Sequence, residues 1–232
     1  MVAMPKTSRR IVPVATALRP GRDVEGHPVA FLFTDLHSST ALYERVGDAA
    51  AYEIVRRHFA FLAGIVLENN GVVVKTIGDA VMAVFGDPVD AVKAALAMQV
   101  RIAEFEQTNG DSDRRLTIKL GVHSGGSVRV EIDDRPDYFG SAVNLAARLR
   151  GQSQDGDVVL SQVIADHPRV RRLLAALPTR EESLPFKGFD GVVRFVRVMP
   201  PGEHSIGDSP PLSMPMRSSA RPPRACLALG GR

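Results

Sequence analysis

The sequence predicts an α+β sandwich, in which two long helices pack on a sheet of short strands. Apolar residues recur at helical spacing over 39–68 and over 90–105. Short runs rich in β-branched and large apolar residues lie before, between and after these helices, and turn signals separate them. The order β-α-β-β-α-β, with extra closing strands, is that of a ferredoxin-like sandwich with its helices on one face of an antiparallel sheet. We expect the other face of the sheet to be available for a partner.

The first elements lead from a strand through a helix to a hairpin. Residues 28–36 (PVAFLFTDL) are predicted to form a buried strand that ends on an aspartate. The helical stripe within 39–68 consists of large apolar residues, namely Leu42, Val46, Ile54, Val55, Phe59, Leu62 and Val66. The segment 72–85 (VVVKTIGDAVMAVF) predicts two apolar strands, with Gly78-Asp79 as the turn signal between them.

The second half of the fold begins with the helix over 90–105, which follows the Asp87-Pro88 start signal. Residues 116–125 (LTIKLGVHSG) and 127–133 (SVRVEID) are predicted to pair with each other as a second strand pair. A short amphipathic helix is expected over 140–152. The closing strands are expected at 156–161 and 192–199.

The composition is that of an ordinary globular protein. Of the 232 residues, 44% are hydrophobic and 24% are charged, which suits one sizeable domain with tails. The single cysteine, Cys226, excludes a disulfide framework and a cysteine-based metal site. No apolar run approaches the length of a membrane-spanning helix, and no apolar segment of the signal-peptide type follows the basic N-terminal residues. We therefore expect a cytoplasmic protein without a membrane span.

The charge is unevenly distributed and argues against a nucleic-acid partner. Residues 1–27 carry a net charge of +3 and residues 200–232 a net charge of +2, so the total of +3 leaves about −2 for residues 28–199. A folded core without an excess of basic residues lacks the positive charge that binding to the phosphates of DNA or RNA requires. We expect 28–199 to be the folded domain, 1–27 to be a flexible basic linker or the join to an absent upstream sensory domain, and the proline-rich segment 200–232 to be disordered.

Two carboxylates are predicted to converge at one end of the sheet. Asp35 ends the first strand and Asp79 lies in the hairpin turn, and in a ferredoxin-like sheet the first strand is central and next to that hairpin. Two carboxylates with no histidine or cysteine partner suit a hard cation such as Mg²⁺, which is held together with substrate phosphates. The run Ser38-Ser39-Thr40 opens the next helix, whose N-terminal N–H groups could receive a phosphate.

Asn144 and Arg148 lie four residues apart on the predicted helix over 140–152 and therefore share one face of it. An asparagine in the middle of an alanine-rich helix is a poor helix former. A solvent-exposed polar face of the helix explains Arg148 readily but explains the pair of Asn144 and Arg148 less well. Both residues are therefore candidates for a functional site.

These motifs together resemble the catalytic domain of the class III nucleotidyl cyclases, the adenylyl and guanylyl cyclases. The matching segments are FTDLHSST, KTIGDAVMAVF, GVHSG, DYFGSAVNLAARL and LPFKGF, which occur in this order over roughly residues 28–198. The resemblance implies that Asp35 and Asp79 hold two Mg²⁺ or Mn²⁺ ions per site, with the Leu36 carbonyl as a further ligand. It also implies a homodimer with composite active sites, in which the two metal aspartates come from one protomer and the other side chains from its partner.

The resemblance assigns the remaining side chains to the nucleotide. Lys75 and Asp137 would read the base, Asn144 would orient the ribose, and Arg148 would neutralise charge on the phosphate in the transition state. Lys187 would contact the terminal phosphates. Because a lysine donor and an aspartate acceptor complement adenine and mismatch guanine, the expected substrate is ATP, and the family's guanylyl members carry other residues here, typically Glu and Cys.

Several alternatives stay open on the sequence alone. The family's metal motif usually has glycine where this chain has Ser38, and a Cβ there could weaken triphosphate binding. A folded, dimeric but catalytically silent nucleotide-binding signalling module is therefore one alternative, and a guanylate cyclase is another. A diguanylate cyclase is disfavoured because TIGDAV is not the turn signature of that family, and a polymerase palm is disfavoured by the acidic core.

Overall fold

A computed structural model of the chain describes residues 19–20, 28–37, 39–109, 117–132, 135–154 and 156–199. Ser38, most of the predicted linker and the whole predicted tail lie outside the described residues. The described strands are β1 (Arg19–Pro20), β2 (Val29–Leu36), β3 (Gly71–Ile77), β4 (Ala80–Phe85), β5 (Ile118–Gly125), β6 (Val128–Ile132), β7 (Arg135–Phe139), β8 (Val158–Ser161), β9 (Thr179–Pro185) and β10 (Val192–Val198). The described helices are α1 (Ser39–Val46), α2 (Asp48–Glu68), α3 (Pro88–Asn109), α4 (Ser141–Arg150), α5 (Gln162–Ala165) and α6 (Pro168–Leu174).

A seven-stranded sheet in the order β3-β4-β2-β5-β8-β10-β9 forms the centre of the fold. Its first four strands have the ferredoxin-like order, with β2 antiparallel to both β4 and β5. The predicted fold class is therefore confirmed, and the extra strands extend the sheet on one side. The extension begins with a parallel pairing of β8 to β5, which makes the sheet mixed rather than antiparallel.

The predicted pairing of residues 116–125 with 127–133 is wrong. Strand β5 already has β2 on one edge and β8 on the other, and its central residues are buried, as expected for an interior strand. Strand β6 pairs instead with β7 and with β1 in a separate three-stranded sheet. The chain leaves the large sheet after β5 because neither edge of that strand has free backbone groups for a hairpin partner.

Side chains of β2 alternate between two cores on opposite faces of the sheet. Ala30 and Leu32 pack in the main core, which includes residues of α2 and α3, such as Leu62 and Met98. Phe31 and Phe33 pack on the other face, against Ala142 and Ala146 of α4.

The expectation that all helices lie on one face is therefore wrong, because α4 covers part of the second face. Two glycines of β5 permit this close approach. A Cβ at Gly121 would lie 2.1 Å from the backbone nitrogen of Arg150, and one at Gly125 would lie 2.9 Å from the Cβ of Ala142.

The helical segment predicted over 39–68 is divided at Gly47. This residue has a φ of 78°, which a side chain would disfavour, and it separates α1 from α2. None of the helices in the described part of the chain has both the length and the apolar composition that crossing a bilayer would require.

Candidate functional site

Asp35 and Asp79 meet at the end of the sheet, as the sequence predicted. Asp35 is the seventh residue of β2, and its alternation places it on the face that carries Phe31 and Phe33. Asp79 lies in the turn between β3 and β4, where Gly78 has a φ of 62°. Because the backbone N–H of Val81 donates a hydrogen bond of 3.2 Å to Thr34 Oγ1, the turn is fixed beside the end of β2.

The surroundings of Asp35 contain charges of both signs. Burial raises the pKa of Asp35, the Arg150 guanidinium lowers it, and the Asp79 carboxyl, which lies within hydrogen-bonding distance, raises it again. Lys119, which is opposite Asp35 in the register of β2 and β5, also lowers this pKa. The distance from Arg150 Nη1 to Asp35 Oδ2 is 3.5 Å. Two acidic groups and two cations therefore share one small region.

The donor chemistry here fits a hard divalent cation. Within the described ranges no third His, Cys, Asp or Glu joins the two aspartates as a potential metal ligand. Mg²⁺ is commonly bound by one or two carboxylates together with phosphate oxygens and water, and this pair of aspartates matches that pattern. Leu36 follows Asp35 with its side chain buried, and the role of its carbonyl as a ligand stays a prediction.

Lys75 and Asp137 form an ion pair within the chain, although 62 positions separate them. Lys75 Nζ lies 2.7 Å from Asp137 Oδ2, between β3 and β7. The backbone N–H of Tyr138 donates a hydrogen bond of 2.8 Å to the other oxygen, Asp137 Oδ1, and so orients the carboxylate. Lys75 Nζ also lies 5.5 Å from the ring centroid of Phe139, a cation–π contact. The structure thus brings together the two residues predicted to read the base.

Asn144 and Arg148 are both exposed on the surface of α4. The helix begins after Gly140, which has a φ of 138°, and the backbone N–H of Asn144 donates to the Gly140 carbonyl. Arg150 lies at the last position of the helix and turns toward the sheet, where it reaches Asp35. The helix therefore presents Arg148 to the outside and Arg150 to the chain's own carboxylates.

Lys187 is exposed in the turn between β9 and β10. Phe186 before it is buried and stacks on Phe195 at a centroid distance of 6.2 Å. Gly188 after it has a φ of 88°. The buried ring anchors this turn and leaves the lysine side chain at the surface, and its predicted contact with phosphates stays a prediction.

Two residues of this region, Lys119 and Arg150, were not predicted from the sequence. The signal for Lys119 is a lysine between two apolar residues of β5, on the side shared with Asp35 once the register is known. Arg150 gave no comparable signal, because a basic residue in the last turn of a helix is ordinary.

Comparison with known proteins gives a consistent result. A family model described as the adenylate and guanylate cyclase catalytic domain matches residues 24–183. Adenylate cyclase 2 of Rhizobium meliloti is 33% identical over an alignment of 165 residues that covers 66% of this chain and 44% of that relative. The crystal structure of the adenylyl cyclase CyaB from P. aeruginosa has a TM-score of 0.65 at 24% identity, covering 78% of this chain and 97% of that one. The guanylyl cyclase Cya2 has a TM-score of 0.66 at 21% identity, covering 77% and 94%. The chain thus spans less than half the length of the Rhizobium relative and has the fold of both solved cyclases.

Proposed function

The chain belongs to the family of adenylate and guanylate cyclase catalytic domains, and on that premise we propose that it is an adenylate cyclase, which converts ATP to 3′,5′-cyclic AMP and pyrophosphate. The choice of ATP rests on one observation, the pair formed by Lys75 and Asp137 at 2.7 Å. Adenine has an acceptor at N1 and a donor at its exocyclic amine, so a lysine and an aspartate complement it. Guanine has the opposite pattern, and both residues would be mismatched, which is costly in a partly buried position.

Asp35 and Asp79 are proposed to hold two Mg²⁺ or Mn²⁺ ions, with the Leu36 carbonyl as a further ligand. Their proximity supports the assignment: burial and the neighbouring Asp79 carboxyl raise the pKa of Asp35, and a bound cation would offset the repulsion between the two carboxylates. When bound, the ions would lower the pKa of the ribose 3′-hydroxyl and neutralise the triphosphate. The chain itself contributes the carboxylates and their rigid placement on β2 and the hairpin turn.

The remaining groups are proposed to act on the nucleotide from the partner protomer of a homodimer. Arg148 would stabilise negative charge as the α-phosphate is attacked, Asn144 would orient the ribose, and Lys187 would contact the terminal phosphates. All three residues are exposed, which is consistent with a role across an interface. In this arrangement each active site takes Asp35 and Asp79 from one chain and the other side chains from its partner.

The composite site is tested by complementation between two inactive variants. Asp35→Ala removes a metal ligand, and Arg148→Ala removes a charge-stabilising donor worth about 10²–10³ in kcat. When the two proteins are mixed in equal amounts and exchange subunits, about half of the dimers will be mixed. Each mixed dimer has one site with both lesions and one intact site, so about a quarter of wild-type specific activity should return. No recovery, with exchange confirmed by pull-down of mixed dimers, would contradict independent composite sites.

Product identification separates the proposed activity from its alternatives. The purified chain is incubated with ATP or GTP and with Mg²⁺ or Mn²⁺, and the products are identified by mass spectrometry. Formation of cyclic AMP supports the proposal. Formation of cyclic GMP alone supports a guanylate cyclase, and the absence of a cyclic product with every combination supports a catalytically silent module. We further propose that the enzyme acts in the cytoplasm in intracellular signalling, under the control of another domain or a regulator.

A further inference from the structure

Arg150 occupies a fixed position beside the proposed metal ligands of its own chain. Its guanidinium Nη1 is 3.5 Å from Asp35 Oδ2, and the two side chains are only 27% and 29% exposed. Its backbone is held against β5, because the space above Gly121 is filled by the end of α4. Its Nε atom is buried and has no hydrogen-bond partner among the described residues, so one edge of the guanidinium is packed while Nη1 faces Asp35.

We propose that Arg150 is a resident cation that competes with the divalent ion for Asp35 and thereby sets the metal affinity of the site. The inference rests on the proposed function, since it takes Asp35 and Asp79 as the metal ligands. Arg150 stabilises the charge of Asp35 when the chain holds no ion, and it repels an ion that approaches the same carboxylate. Metal binding and the ion pair therefore oppose each other.

Coulomb's law gives the direction and the scale of this competition. A divalent ion on Asp35 would lie within several ångströms of a guanidinium that is itself 3.5 Å from the carboxylate. Even with the strong screening of a partly exposed site, the repulsion between these charges is sufficient to weaken binding roughly tenfold. Lys119 adds a second positive charge on the same side, and Asp79 offsets part of it. Arg148 of the same chain, only two residues away, is exposed on α4 and is not among the charges that act on Asp35.

The test measures Mn²⁺ binding to the protein alone, without nucleotide, by electron paramagnetic resonance of the free ion at about pH 8, where ordinary carboxylates are ionised. Arg150→Gln and Arg150→Met remove the charge, and the methionine keeps an apolar stem for the packed position. Either variant that retains the wild-type circular dichroism spectrum should bind Mn²⁺ about tenfold more tightly. Arg150→Lys, which keeps the charge, should bind as the wild type does. An unchanged or weaker affinity in the folded neutral variants would overturn the proposal.

The charge-matched control is Arg194→Gln. Arg194 is exposed on β10, three strands away from β2 in the sheet, so its loss changes net charge equally without changing the surroundings of Asp35. It should leave the Mn²⁺ affinity unchanged. Asp35→Asn separates this inference from the proposed function. If that variant binds Mn²⁺ as the wild type does, the metal assignment itself fails, whereas if it loses binding while the neutral Arg150 variants match the wild type, only the competition fails.

Discussion

Acidification should destabilise the domain through His123, a buried histidine of β5. Its side chain is 8% exposed, and Nδ1 lies 2.8 Å from Ser161 Oγ on the neighbouring strand β8. Burial lowers the pKa of His123 from 6.5 to about 4, because the charged imidazolium would lose its hydration. Between pH 6.5 and about 4 the unfolded chain therefore binds a proton at His123, whereas the folded chain does not. The stabilising contribution of the neutral side chain is fully present above pH 6.5 and is lost as the pH falls from there toward 4.

The size of this effect follows from the two pKa values. At pH 5 the unfolded state is almost fully protonated at His123 and the folded state almost fully neutral, which lowers the free energy of unfolding by about 2 kcal/mol. Below the folded pKa the loss reaches its limit of about 3 kcal/mol. Burial also lowers the pKa of His58 to about 4. The unfolding free energy of the whole domain should therefore fall by more than the contribution of His123 alone.

The variant His123→Asn isolates the contribution of His123 to the pH dependence of the unfolding free energy. Asparagine keeps a polar atom near Ser161 but does not titrate, so its cost in packing is the same at every pH. Urea unfolding is followed by circular dichroism at about pH 7.5 and about pH 5 for both proteins. The difference in unfolding free energy between wild type and variant should shift by about 2 kcal/mol in favour of the variant at the lower pH. Parallel pH profiles for the two proteins would show that His123 is not a buried neutral group and would refute the reasoning.

Two further predictions concern the packing of α4 and the reading of the base. Gly121→Ala places a Cβ 2.1 Å from a backbone nitrogen of α4 and should cost about 1–3 kcal/mol in urea unfolding, whereas Gly64→Ala, where no atom lies within 4 Å, should be neutral or stabilising by up to about 1 kcal/mol. Lys75→Glu combined with Asp137→Cys should shift turnover from ATP toward GTP, measured as the ratio of kcat/KM for the two nucleotides. An equal fall in binding of both nucleotides would place base reading elsewhere.

The sequence predicted the ferredoxin-like core well because each of its elements carries a strong local signal. The strand that carries Asp35 begins with five apolar residues, and the hairpin has its turn residues between two apolar runs. The convergence of Asp35 and Asp79 followed from that topology alone. The pairing of Lys75 with Asp137 followed only from the resemblance, since no local pattern links positions so far apart.

Among the strands that were not predicted, β7 and β9 were missed for different reasons. Strand β9 (TREESLP) is mostly exposed and charged, so it lacks the apolar alternation by which strands are recognised. Strand β7 (RPDYF) contains a proline near its start, which argues against a sheet position unless the strand lies at an edge, as it does here. The wrong pairing of β5 with β6 has a third cause, because the short glycine-containing link between them is also a hairpin signal.

The hairpin β3–β4 carries residues of two distinct clusters, and this division bears on the proposed dimer. Asp79 at its turn meets Asp35 of β2, whereas Lys75, four positions earlier, points its ammonium to Asp137 of β7. A nucleotide must contact both a base-reading pair and a metal pair, and the composite arrangement assigns these two clusters of one chain to two different active sites. The hairpin then carries one metal ligand of one site, Asp79, and one base-reading residue of the other, Lys75. A displacement of that hairpin, whether by mutation or by a regulator, would therefore be felt at both active sites of the dimer.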